Sequence, residues 1–231
     1  MKMRNTEVWG FKHTIRGMRQ PMNSHHKSDS GYCNELKFDC PKGVLSENYP
    51  MNIENNQVFP FVIGKNDIDL AQRLIKGGTE HRKFLRQIMV SVDITAPLFW
   101  WKEFDTYKIG TTANSTSTMH KLSSTPITTD CFELSDYTKK DNYFLNFINH
   151  LEELRKQYLE SKNKTIWKTL IEELPESWLQ TRTVTMNYEN LRNMYFQRKS
   201  HKLTEWSEIF IEWVDTLPYA AELIKYTGDD R

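Results

Sequence analysis

Glycine is scarce in this chain of 231 residues: nine scattered copies, from which no Gly-x-Gly-x-x-Gly or Walker-type loop can be assembled. A phosphate cradle built from backbone amides at a glycine-rich turn is therefore excluded. Neither His-Glu-x-x-His nor Gly-x-Ser-x-Gly occurs, which removes the common zinc-peptidase and serine-hydrolase signatures. Cysteine is limited to Cys33, Cys40 and Cys131, an odd and sparse set that gives no disulfide framework and fits a reducing compartment. Cys33 and Cys40 lie near His25 and His26, but their spacing matches no common zinc pattern, so they read as free thiols and no metal site is expected. Met1 is followed by no apolar leader segment, and no apolar run approaches the roughly 18 residues of a membrane span. The formal charge is only +1, which leaves no polybasic field for duplex nucleic acid or an anionic membrane. The chain thus reads as soluble and cytoplasmic.

What is present is aromatic. Trp, Tyr and Phe make up 13% of the chain, enough to supply a core, an interface or a stacking surface for a planar ligand. Val8, Trp9 and Phe11 suit a short strand, and Thr14 suits the cap of a brief helix through Ile15 and Met18 that Pro21 stops. The stretch from Asn23 to Gly31 is polar and turn-rich, a solvated connector or a ligand-contacting loop using Ser24, His25 or Ser28. Another loop is expected from Pro41 to Asn56. Asp67 reads as the cap of a helix carrying Ile68, Leu70, Ala71, Leu74 and Ile75, closed by Gly77-Gly78. Helical spacing through Phe84, Leu85 and Ile88 gives way to alternation at Val90, Val92 and Ile94, a strand that Pro97 ends. Trp100 to Phe104 suits a short helix. The Thr/Ser/Asn run from Thr111 to Thr118 is poor helix, an exposed loop or a hydrogen-bonding wall.

The C-terminal half is mainly helical. Phe144, Phe147, Ile148, Leu151, Leu154 and Tyr158 mark one face of a long helix, and Trp167, Leu170, Ile171 and Leu174 mark a second. Trp178 to Met186 suits a strand containing Arg182, Asn187 to Gln197 returns to helix, and a last helix runs from about Leu203 to Val214 before Pro218. This order predicts one α+β domain over residues 1–231, a mixed or antiparallel sheet covered by long helices. On chemistry alone, the groups to watch are His81, Lys102, Glu103, Lys108, the Thr/Ser run, Asn187, Asn193 and Arg198. Each also has a plain structural role: a packed histidine, solvated lysines, or an arginine that ends a helix favourably.

From His81 to Leu122 the chain resembles the flavin-dependent thymidylate synthases. That family has a histidine, a strand ending in a Lys-Ala-Pro-like corner, an Arg-Gln-Trp turn and an Arg-His-Arg-x-x-Ser-x-Asn-Glu-x-Ser-x-Arg signature. Here the stretch from Asp93 to Phe99 (DITAPLF) fills the corner, Lys102-Glu103-Phe104 the turn, and Thr106-Tyr107-Lys108-Ile109-Gly110-Thr111 the opening of the signature. A second block agrees in spacing: Leu174-Pro175, then Asn187-Tyr188-Glu189, Asn193 and Arg198. The matches lie within 67–122 and 174–206; residues 1–60 and 123–165 match loosely.

The resemblance implies bound FAD, with NADPH and methylene-tetrahydrofolate as co-substrates, methyl transfer converting dUMP to dTMP, and a homotetramer. It implies His81, Lys108, Ile109, Thr111, Asn187 and Asn193 as flavin contacts. Lys102, Glu103, Thr116 and Arg198 become pyrimidine-nucleotide contacts, and Arg198 the catalytic residue that holds the activated pyrimidine. The signature is incomplete: Thr106, Tyr107 and Thr118 stand where Arg, His and Arg are expected, Glu103 replaces a glutamine, Glu189 an arginine, and Ile171 the arginine before Leu-Pro. The alternative implied by those losses is a non-catalytic or repurposed relative that binds a nucleotide-like ligand or a protein partner.

Overall fold

The computed structural model describes residues 1–32, 51–54 and 57–228, the backbone alone over 51–54 and 57–59. Cys33, Cys40 and the first part of the loop expected after Pro41 lie outside the described residues. β1 (Lys2–Trp9) leads into α1 (Phe11–Arg19); β2 (Gly31–Tyr32), β3 (Met51–Glu54) and β4 (Gln57–Val62) precede α2 (Lys65–Lys76). β5 (Met89–Pro97), α3 (Leu98–Phe104), β6 (Thr112–Ser115) and α4 (Thr118–Lys121) follow, then α5 (Asn142–Ser161) and α6 (Lys164–Glu172). β7 (Leu179–Asn187) runs into α7 (Tyr188–Arg198), and two π-helical turns, Glu205–Phe210 and Ala220–Ile224, flank α8 (Ile211–Asp215). The fold is α+β, as expected. One sheet has the order β1-β5-β7-β6 and the other β2-β4-β3, the latter antiparallel with Gly31 opposite Val62 and Met51 opposite Pro60. Thr95 meets Thr181, Asp93 meets Thr183, and Leu98 N–H donates to Trp178. Each step forward on β5 is thus a step backward on β7, which makes that pair antiparallel.

Packing divides the chain into two compact units. The first is Met1–Lys2, Asp93–Lys108 and Ala113–Thr183; the second is Met3–Val92, Ile109–Thr112 and Val184–Arg231. In the second unit Phe11, Ile15 and Met18 are buried at helical spacing on α1. That helix starts earlier than Thr14, because Gly10 takes the cap at φ 103°, where a Cβ would come within 2.2 Å of the Gln87 carbonyl. Thr14 lies a turn inside the helix and is buried. α2 likewise begins before Asp67, after Gly64. Its first amides, Asn66 N–H and Asp67 N–H, donate to the Asp29 carboxylate at 2.9 and 3.2 Å.

Asp67 itself is fully buried. Its carboxylate accepts from Arg19 Nε at 2.5 Å, Ser28 Oγ at 2.7 Å, Asp29 N at 3.2 Å and Ser30 Oγ at 2.6 Å. The stretch from Asn23 to Gly31 is therefore held to α1 and α2 through one carboxylate, and its His25, Ser28 and Ser30 line a cavity of about 140 Å³. The expected loop from Pro41 to Asn56 contains β3. The helical spacing through Phe84, Leu85 and Ile88 belongs to a 3-10 helix, Arg82–Gln87, and not to an α-helix. Trp206 and Phe210 pack edge to face at 5.1 Å, and Tyr188 Oη donates to the Pro218 carbonyl at 2.6 Å. The chain turns helical again after Pro218, which spacing alone did not suggest.

In the first unit, Leu122, Ile127, Phe132, Leu134, Ile148, Leu151 and Leu170 form the core cluster between α5, α6 and the segment before them. Both helices start as their residues dictate: Asp141 accepts from Tyr143 N–H at 3.0 Å and Asn163 from Thr165 N–H at 2.9 Å. Glu152 on α5 accepts from Ile127 N–H and from Arg155 Nε and Nη2, each at 2.7 Å, while Arg155 Nη1 donates to Ser123 O at 3.1 Å. The Arg155 hydrogen bond is the main cause that lowers the Glu152 pKa, and burial opposes it. Among the described residues no helix is long and apolar enough to cross a membrane.

Two stability predictions follow from these carboxylates. Asp67→Ala leaves the buried Arg19 guanidinium without its carboxylate partner and should cost about 3–5 kcal/mol in urea unfolding; a loss below about 1 kcal/mol contradicts the reading. Glu152 is depressed in the folded state, so its contribution is present above its ordinary pKa of 4.5 and is lost as pH falls through the folded value. Wild type should therefore exceed Glu152→Gln in stability at neutral pH, with the gap closing in acid when both are titrated by thermal unfolding.

Candidate functional site

In the first unit, β5 ends in the Pro97 corner and α3 follows with Trp100, Trp101 and Phe104 buried. Trp101 Nε1 donates to the Gln180 carbonyl at 3.0 Å, and the Arg182 guanidinium lies 4.1 Å over the Trp101 ring. Arg182 also donates to Asp105 at 2.8 Å and to Gln180 Oε1 at 3.0 Å. Lys102, one of the expected phosphate contacts, is ion-paired with Glu176. Glu103 is half-buried on the same helix, and its carbonyl accepts from Thr106 Oγ1 at 2.7 Å. Lys108 is exposed.

The run from Thr111 to Thr118 is an exposed strand for part of its length, not a loop: β6 is solvent-facing at every residue. It reaches β7 through Thr116 N–H to Thr181 O at 2.8 Å, and Gln180 Nε2 returns to Thr116 O at 3.1 Å. Beside that junction lies a cavity of about 140 Å³, bounded by Thr116, Thr118, Lys121, Trp178 and Thr181 among others. Of the expected nucleotide contacts Thr116 lines it, and Lys102 and Glu103 do not.

In the second unit, Asn187 ends β7 and caps α7 in a reciprocal arrangement. Its side chain accepts from Asn190 N–H at 3.0 Å, and Asn190 Oδ1 accepts from Asn187 N–H at 3.2 Å. Asn190 Nδ2 then donates to the Ile109 carbonyl at 2.9 Å. Gly110 sits at φ 78°, and a Cβ there would meet Asn190 Oδ1 at 3.2 Å and Asn187 Nδ2 at 3.3 Å. The structure thus brings Ile109, Gly110 and Asn187 together, with the Ile109 side chain 87% exposed beside them. Thr111 follows in the same strip. Asn190 was not singled out in the sequence, although the Asn187-x-x-Asn190 spacing is that of a reciprocal cap.

His81 is exposed, N-terminal to the 3-10 turn, packed against Gly77. Asn193 is exposed on α7, and Arg198 closes that helix with its guanidinium 4.9 Å over the Trp206 ring. Glu189, which stands where the resemblance expects an arginine, is buried and accepts from Arg82 Nε at 3.0 Å on both oxygens. Arg192 donates to the carbonyls of Ile224 and Tyr226 at 2.7 Å; burial and then the Arg82 charge lower its pKa, opposed by Glu189. No cluster of metal-ligating side chains occurs among the described residues.

The chain has an α+β fold with a proline corner between strand and helix, a hydroxyl-rich edge strand and an asparagine-capped helix. Solved structures share the fold. A ThyX flavin-dependent thymidylate synthase from Helicobacter pylori, complexed with FAD and dUMP, matches at a TM-score of 0.65 and 16% identity, covering 97% of this chain and 98% of that one. A second structure of Helicobacter pylori ThyX with FAD and dUMP matches at 0.66, with the same identity and coverage. This chain therefore has the fold of the ThyX flavin-dependent thymidylate synthases. No family model and no curated protein matches it.

The Arg82–Glu189 pair yields a reversal test. Glu189→Arg, which restores the residue the resemblance expects, should destabilise by about 3–5 kcal/mol, because it sets a third cation beside Arg82 and Arg192. Adding Arg82→Glu should recover a substantial part of the loss in urea unfolding; an unchanged or more stable single variant contradicts the assignment.

Proposed function

We propose that this chain is a diverged flavin-dependent thymidylate synthase-like protein that holds FAD and transfers a one-carbon unit to a pyrimidine nucleotide. The observation that carries the reading is a fold likeness spanning 97% of the chain to enzymes in complex with FAD and dUMP. The strip at Ile109, Gly110 and Asn187 fits a flavin edge. It offers an exposed apolar side chain and an amide, with Gly110 letting the Asn187 and Asn190 amides come close to its backbone. Lys108, Thr111, Asn193 and His81 are assigned to the same cofactor. FAD, when bound, supplies the hydride and the carrier for the one-carbon unit.

The chain's own residues then bind and orient. Thr116 presents a hydroxyl to the substrate. Arg198, steadied on the Trp206 ring, supplies the positive charge that holds the pyrimidine in its activated form. Lys102 and Glu103 complete the assigned substrate contacts, with Glu176 drawing on the Lys102 charge. NADPH and methylene-tetrahydrofolate as co-substrates, dTMP as product, a homotetramer of one domain per chain and a cytoplasmic setting belong to the same proposal.

A second reading, a non-catalytic or repurposed protein that binds a nucleotide-like ligand or a protein partner, is favoured by one specific observation. Lys102, Arg182 and Arg82 each have a carboxylate partner within their own unit. Flavin uptake separates the two. The purified chain should show flavin absorbance, or gain it with a raised melting temperature on adding FAD, and should then oxidise NADPH in a manner dependent on pyrimidine substrate and folate. Absence of FAD binding contradicts the first reading; binding without turnover supports the second.

A further inference from the structure

We propose that the cavity between α1 and the segment from His25 to Gly31 binds a free tetrahedral dianion of the inorganic phosphate class. The site does not depend on the function proposed above. It lies wholly within the second unit and has a volume of about 140 Å³. Its polar lining is Lys12, Arg16, Arg19, His25, Ser28 and Ser30, and the buried side chains of Ile15 and Phe61 form its apolar wall. Lys12, Arg16 and Arg19 stand at i, i+4 and i+7, on one face of a helix that contains no acidic residue at all. Like charges at this spacing repel and weaken a helix. An anion seated among them turns that repulsion into attraction.

The acids around the cavity are already engaged. Asp67 accepts from three of the lining residues, Arg19, Ser28 and Ser30, and the Asp29 carboxylate accepts from the first amides of α2. Arg19 is fixed by Asp67 and by the Ser24 carbonyl, which accepts from its Nη1 at 3.3 Å. The Ser28 and Ser30 hydroxyls spend their protons on Asp67 and present only lone pairs to the cavity. Lys12 and Arg16 are different: both are exposed, and neither has a carboxylate partner among the described residues. The Lys12 ammonium rests 5.1 Å over the Tyr32 ring, and the half-buried His25 sets Nε2 3.3 Å from Gln20 Oε1. An ammonium and a guanidinium thus remain to make charge-assisted bonds to an oxyanion, Arg16 with a fork that suits two of its oxygens. The volume is that of four or five waters at about 30 Å³ each, room for one phosphate and its nearest waters. It lies below the roughly 300 Å³ of a pocket for a whole small-molecule ligand, so the sugar and base of a nucleotide would stay outside.

The test is calorimetry and thermal unfolding of the full chain in sodium phosphate, against sodium chloride at matched ionic strength. Phosphate should bind with a dissociation constant below about 1 mM and raise the melting temperature, as a ligand of the folded state alone does. Lys12→Gln and Arg16→Gln should each weaken phosphate about tenfold, the loss of one charge-assisted contact. In chloride each variant should melt no more than about 1–2 °C below wild type, because each also removes a repulsion. Were Arg16 only a cation complementing the C-terminal end of α1, Arg16→Gln would lower the melting temperature in chloride and leave phosphate affinity unchanged. That result overturns the proposal, as does absence of phosphate binding up to about 10 mM. dUMP should compete for the site at least about tenfold more weakly than phosphate; tighter binding there would make the ligand a nucleotide and overturn the free anion. Phosphate binding that persists when FAD is not taken up would count against the proposed reaction and leave the anion site standing.

Discussion

The Asp67 carboxylate is the constraint on which the second unit depends. It is fully buried, yet four donors reach it from two places, Arg19 at the end of α1 and Ser28, Asp29 and Ser30 in the segment that follows, and so both are tied to α2, which carries Asp67. A buried charge is tolerable only when so satisfied. The same turn lends Asp29 to cap α2 and Ser30 Oγ to accept from Gly64 N–H at 3.0 Å. A segment with too few apolar residues to pack is thus fixed by hydrogen bonds to one acid.

The same device recurs where the chain departs from the flavin-enzyme pattern. Glu189 is an arginine position by resemblance, and here its carboxylate closes on Arg82. Lys102 closes on Glu176, and Arg182 is held between Asp105 and the Trp101 ring. Cations that an anion-binding protein would leave facing its ligand are drawn here into local pairs. The backbone architecture of the ThyX enzymes survives at 16% identity because it is set by buried apolar faces, such as Val90, Val92, Ile94 and Ala96 on β5, each wholly buried. Charge placement is free to change around such a frame, and so is the chemistry.

Much of the frame was legible in the residues. β5, α5, α6 and α7 follow from periodicity, because their apolar residues repeat every second or every third to fourth position, and β7 follows from its Thr and Val content. Asp141 and Asn163 cap their helices, although neither was singled out in the sequence. The misreadings share a cause: Thr14 and Asp67 are good capping residues by type, but Gly10 and Gly64 precede them, and Asp67 has a long-range task that no local pattern reports. The site was legible as a set of residue types and not as an arrangement. That Asn187 caps α7, that Glu189 meets a residue 107 positions away and that Lys102 is paired all depend on tertiary contacts. The hydroxyl run was noticed for its composition; that part of it is an edge strand and part lines a cavity depends on its pairing with β7.

The central claim is that the cations Lys102 and Arg182 are drawn into local pairs, with Glu176 and Asp105, and do not face a ligand phosphate. The most direct measurement is the dissociation constant of dUMP as a function of ionic strength, from about 0.05 to about 0.5 M salt, where the Debye length shrinks from about 14 to about 4 Å. The account predicts a change of less than about threefold, since few charges face the ligand. Weakening by more than about tenfold over that range would show a phosphate held by free cations, and would contradict it.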